Sequence, residues 1–113
     1  MHEEEICREI LEEGLDDWVP LDRLVGLARE LSERRGVNHR DVSEKVLAHL
    51  LHSGLVTVGD LGESGFEAWT DDADGAVRRI MRALDDAGWE PAGGCWLANT
   101  PVGDREASGR QEK

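Results

Sequence analysis

The stretch Val46-Leu47-Ala48-His49-Leu50-Leu51-His52-Ser53-Gly54-Leu55-Val56-Thr57-Val58 decides how this chain folds. With Val42 upstream, the residues Val46, Leu47, Leu50 and Leu51 fall on one face at helical spacing. Gly54 closes that periodicity, and Leu55-Val56-Thr57-Val58 follows at once with the β-branched character of a strand. A helix that passes directly into a strand predicts an α+β chain. Asn38 is placed to cap this helix, which runs to about Ser53.

Working back towards the N-terminus, Leu21, Leu24, Val25, Ala28 and Leu31 form a complete amphipathic stripe over about Leu21 to Arg34, and Gly36 ends it. Before it, Asp16-Asp17-Trp18-Val19-Pro20 reads as a short extended segment, because the residue ahead of a proline is pushed towards β geometry. A first helix over about Glu3 to Glu13 carries Ile6, Ile10 and Leu11, and its acidic first turn suits the helix dipole.

Working forward, Gly59-Asp60-Leu61-Gly62-Glu63-Ser64-Gly65 is rich in turn residues, and Phe66-Glu67-Ala68-Trp69 alternates with period two. This predicts a hairpin with a projecting loop of seven residues. A fourth helix opens in Thr70-Asp71-Asp72 and buries Val77, Ile80, Met81 and Leu84. Gly88 stops it; Gly93-Gly94 reads as a flexible lead into a last strand at Cys95-Trp96-Leu97-Ala98-Asn99. Residues 1–102 are expected to form a single domain, and residues 103–113, polar and without an apolar stripe, a disordered tail.

The order helix, short strand, helix, helix, hairpin resembles the winged-helix variant of the helix-turn-helix over about Glu3 to Trp69, with the fourth helix and last strand as additions. The segments from Leu55 to Gly65-Phe66 and from Cys95 to Thr100 also resemble small bacterial proteins, a likeness that brings no activity with it. In the winged-helix family the third helix reads the major groove and the wing touches the backbone. The resemblance therefore implies DNA contacts from exposed positions of helix 3, namely His39, Arg40, Ser43, Glu44 and Lys45, with Gly59 to Gly65 as the wing. Arg40, Ser43 and Lys45 carry this alternative, a regulator that binds DNA as a dimer.

Charge argues against that alternative. The chain of 113 residues carries a formal net charge of −12. Val37 to Val58 is neutral, whereas Gly59 to Gly75 holds Asp60, Glu63, Glu67, Asp71, Asp72 and Asp74 with no Lys or Arg. Nucleic-acid affinity comes largely from cations that replace phosphate counterions, and the wing supplies none. Anionic membrane surfaces are disfavoured on the same ground, and the apolar stretch Val46 to Val58 is too short and interrupted to span a bilayer. An acidic N-terminus and two cysteines point to the cytoplasm.

No constellation of catalytic residues stands out against its simpler reading. His49 and His52 could join Cys7 and Cys95 in a metal site, but the cysteines are 88 positions apart, and rim histidines with buried thiols are the plainer account. A nucleophile built on Cys95 lacks an orienting third residue. The acidic pairs Asp16-Asp17, Asp71-Asp72 and Asp85-Asp86 sit at helix edges, where acids cap or face solvent. Trp18 and Trp96 are assigned to the core, while Trp69 and Trp89 are either core or partner anchors.

The sequence thus predicts a winged-helix-like, non-enzymatic module without a cofactor. Its acidic surface (Asp60, Glu63, Glu67, Trp69, Asp71, Asp72 and Asp74) would meet a protein partner with a basic surface, as an antagonist or immunity protein does. Homodimerisation is compatible with this reading.

Overall fold

The computed structural model describes residues 2–90 and 94–111. Among them are five helices and four strands: α1 His2–Gly14, β1 Val19–Pro20, α2 Leu21–Arg35, α3 His39–His52, β2 Val56–Gly62, β3 Gly65–Ala68, α4 Ala73–Asp86, β4 Trp96–Asn99 and α5 Pro101–Gln111. The protein is an α+β fold with one antiparallel sheet in the order β1-β4-β2-β3.

Local chemistry explains most boundaries. Asn38 Oδ1 accepts the amides of Arg40 and Asp41 at 2.9 and 3.2 Å, satisfying two donors at the start of α3. Asp72 does the same for α4 through the amide of Gly75 at 2.8 Å. At the end of α3 the amide of Leu55 bonds the carbonyl of Leu50, so the chain turns straight into β2. α3 packs against α1, α2 and α4, and the apolar stripes of these helices join one buried core.

The last strand corrects the expectation of an appended element. β4 lies between β1 and β2, pairing Leu97 with Val19 on one side and Val58 on the other. It is the centre of the sheet, and Leu97 is 1 % exposed. The hairpin also differs. β2 continues through Gly62, Leu61 pairs with Phe66, and only Glu63 and Ser64 connect the strands. Asp60, Leu61 and Gly62 read as turn residues, yet they extend the ladder, and Gly65 at φ +106° makes the tight reversal.

The expected disordered tail is corrected as well: residues 101–111 form α5, and residues 112 and 113 lie outside the described residues, as does Gly93 of the proposed flexible lead. Thr100 Oγ1 accepts the amide of Gly103 at 3.0 Å, and Pro101 occupies the first helical position, where a missing N–H costs nothing. Ala107 is fully buried, and Gly103 packs directly on the carbonyl of Leu55. Asn99 fastens this corner by donating to the Leu11 carbonyl at 2.8 Å and to Asp104 at 3.2 Å.

Candidate functional site

The two faces of the sheet differ in kind. Val19, Val56, Val58 and Leu97 point into the helical layer and are buried. Alternation along the strands puts Pro20, Thr57, Gly59, Leu61, Phe66, Ala68, Trp96 and Ala98 on the opposite face. None of these residues is charged. An antiparallel sheet with one open face ordinarily presents polar residues there. Here Leu61 is 46 % exposed, and Trp18, just ahead of β1, is 41 % exposed.

In a flat sheet, three strand spacings would hold β1 and β3 about 14 Å apart. The rings of Trp18 and Phe66 have centroids 5.7 Å apart, so the hairpin curls across the open face towards Trp18. The expected core positions of Trp18 and Trp96 are thereby corrected: Trp18 is exposed and Trp96 half-buried on the outer face. The residues contributing to the sheet layer, 16–20, 55–69 and 94–99, include Asp16, Asp17, Asp60, Glu63 and Glu67 but no Lys, Arg or His. Every cation of the chain belongs to the other segments.

The acids singled out in the sequence separate into distinct roles. Asp60 accepts the indole N–H of Trp69 at 2.8 Å, and Arg79 lies 3.6 Å from the centre of the Trp69 ring while donating to Asp71 at 3.1 Å. Asp72 caps α4, and Asp74 lies 2.9 Å from Nε2 of His52. Glu63 sits at the exposed hairpin tip, and Glu67 faces Asp60 across the strands. Among the described residues, Asp60, Trp69 and Asp71 are the members of this set that meet around a common group. Sequence spacing could not reveal that group, Arg79, because it arrives from α4.

Beside Trp69 a cavity of about 300 Å³ opens between α4 and the sheet. Its lining mixes apolar side chains with Asp22, Asp60, Arg79 and Glu90, and its size lies at the lower end of ligand pockets. Cys95 lines it, with burial pushing the thiol up to about 11 and so keeping it protonated at neutral pH. Cys7 and His49 line a different cavity. The cysteines are buried and free, and no group of three or more metal-ligating side chains occurs among the described residues.

The candidate DNA readers are differently placed. Ser43 is 2 % exposed, which corrects its expected place on the surface of α3. Arg40 is held by both oxygens of Asp85, at 3.0 and 2.8 Å. Lys45 projects into solvent, 4.0 Å from Glu3. Asp85 also accepts the indole N–H of Trp89 at 2.8 Å. Trp89 is buried and left-handed at φ 64°, with its carbonyl bonded by Arg29 and its ring edge-on to His39, so it is a core residue.

Arg40 and Trp89 hold the Asp85 carboxyl down at about 2, against 3.8 for the free group. A depressed pKa adds stability that is present above the unfolded value and lost as pH falls through the folded one. In urea titrations the stability gap between the native protein and Asp85→Asn is therefore expected to be constant above about pH 4 and to close between about pH 4 and 2. A gap unchanged across that range would show that the Arg40–Asp85 pair does not act in solution.

No helix among the described residues is long and apolar enough to cross a membrane. No family model matches the chain, and neither the curated proteins nor the solved structures offer a similar protein.

Proposed function

We propose that this protein is a non-enzymatic interaction module, of winged-helix type, whose sheet layer binds a protein partner with a basic surface. One observation carries the reading: the open sheet face has no charged residue, while the segments that build the sheet contain five acids and no cation. An uncharged face carried by segments whose charges are all carboxylates complements an apolar patch ringed by Lys and Arg. Opposite charges at the rim speed encounter and exclude acidic competitors. An antagonist or immunity-type protein acts in this way. The consecutive helices α2 and α3 leading into the β2–β3 hairpin support the winged-helix assignment; β4 at the sheet centre is this chain's own variation.

The nucleic-acid alternative has less support. Of its three candidate readers, one is buried and one is committed to Asp85. An acidic hairpin opposes phosphate contact.

The test is capture of a partner from the source cell's lysate, followed by hydrogen exchange on the purified pair. Trp18→Asp and Leu61→Asp should each weaken binding at least about tenfold, the scale of losing an interface anchor. Salt at about 1 M, where screening lengths fall to roughly 3 Å, should slow association. Protection should appear over residues 57–68. Protection confined to the helices, or a stable dimer with this face covered by a second copy, would sink the proposal.

A further inference from the structure

The cavity beside Trp69 has a ligand chemistry that the open face does not share. Leu21, Ile80, Leu84 and Cys95 give it an apolar wall, and Asp22, Asp60 and Glu90 also line it. Among the described residues, no Lys or Arg forms an ion pair with these three acids. Arg79, the one cation among the described residues that line the cavity, is already engaged by Asp71 at 3.1 Å. The indole of Trp69 is fixed by its bond to Asp60, so its ring is a rigid aromatic plate at the rim.

Apolar walls ending in carboxylates suit a ligand with an aliphatic stem and a cationic head. Lysine and arginine side chains have that form, since their methylenes cover apolar surface while the charge reaches polar groups. The protein itself displays the preference: Arg79 lies over Trp69 at 3.6 Å from the ring centre, the geometry of a cation–π contact. The volume of about 300 Å³ admits one such side chain and excludes a folded element.

We propose that this cavity is a socket for a single arginine or lysine side chain of the basic partner, with Arg79 as its resident occupant at the rim. This rests on the partner reading above and adds a contact on the helix side of the sheet, separate from the Trp18 and Leu61 face. The incoming cation takes the carboxylates of Asp22, Asp60 and Glu90 and competes with Arg79 for the Trp69 face. Arg79 thereby weakens the socket for any ligand whose cation does not reach the inner acids.

The probes are short capped peptides, Gly-Arg-Gly and Gly-Lys-Gly, titrated into the ¹⁵N-labelled full chain. Citrulline and acetyllysine versions serve as controls, having the same shape without the charge. The charged peptides should shift the Trp69 indole and the Gly94 and Cys95 amides saturably, and the controls should not. Arg79→Ala should tighten binding about two- to fivefold, the range of an exposed cation–π contact. Asp60→Asn should loosen it about threefold. Amide dispersion reports whether each variant is folded, and Glu90→Gln provides a second carboxylate deletion away from the Trp69 bond.

Equal shifts from the neutral peptides, non-saturating shifts over the whole acidic surface, or no gain in Arg79→Ala would overturn the socket. The two proposals fail separately. Peptides that do not bind, with partner capture still dependent on Trp18 and Leu61, remove the socket alone. Peptides that bind at Trp69 without any partner captured remove the partner reading and leave a cation site.

Discussion

Gly103→Ala is expected to destabilise the protein by about 3 kcal/mol, at the upper end of typical overpacking costs. A Cβ at this position would come closer than 3.0 Å to the carbonyl oxygen of Leu55. That oxygen belongs to the backbone between α3 and β2 and also accepts the amide of Thr100 at 3.0 Å, so it has no free direction in which to retreat. The melting temperature should drop by about 10–15 °C for a chain of this size. Gly109 in the same helix provides the control, because nothing lies within 4 Å of a Cβ there. Gly109→Ala should raise stability by roughly 0.5–1 kcal/mol through helix propensity. Thermal unfolding of the two variants checks both signs. A neutral Gly103→Ala would mean that α5 is not docked on this corner.

The second large effect tests the asymmetry of the sheet. Leu97→Ala removes a side chain that is 1 % exposed and sits between Val19 and Val58, and it should cost about 3 kcal/mol. Trp18→Ser and Leu61→Ser act on the other face, where both residues are more than 40 % exposed. Each should cost less than about 1 kcal/mol, as surface changes usually do. Urea denaturation with a shared slope makes the three comparable. If the outer-face variants were as damaging as Leu97→Ala, the face would be part of the core rather than a surface kept for contact.

The helices that carry broad apolar stripes were legible in the sequence because at least four large aliphatic residues, Met81 included, recur at period 3.6 in each. α5 has no such stripe. Its packing face is built on Gly103 and Ala107, small residues that allow close approach but give no hydropathy signal. The legible sign was instead Thr100-Pro101, a capping hydroxyl followed by a proline at the first helical position. The hairpin loop was overestimated because Gly59, Asp60 and Gly62 have turn chemistry, while the pairing of Leu61 with Phe66 lies across the reversal.

The candidate site was legible in composition but not in geometry. The run of six acids without a cation between Gly59 and Gly75 is plain in the sequence, but what each acid touches is not. Its internal organisation depends on Arg79, which folds back from α4 onto Trp69. Large aromatics are mostly buried, which by itself predicts Trp18 and Trp96 in the core. The decisive fact, that both fall on the uncharged sheet face, follows from a register set by β4 and so from contacts far apart in sequence.

That register also imposes an order on synthesis. β1 and β2 have no strand between them until residues 96–99 have been made. From Val58 to Leu97 the ribosome must add 39 further residues, which at ~5–20 residues per second takes about 2–8 s. Once β2 has emerged and until β4 docks, its inner edge offers unpaired amides and carbonyls beside Val56 and Val58, the pattern that recruits strands from other chains. The helices can form locally and early, whereas the sheet is complete only when β4 has docked between β1 and β2. The completed chain closes that edge with its own last strand, and the nascent one is the species most exposed to misassembly.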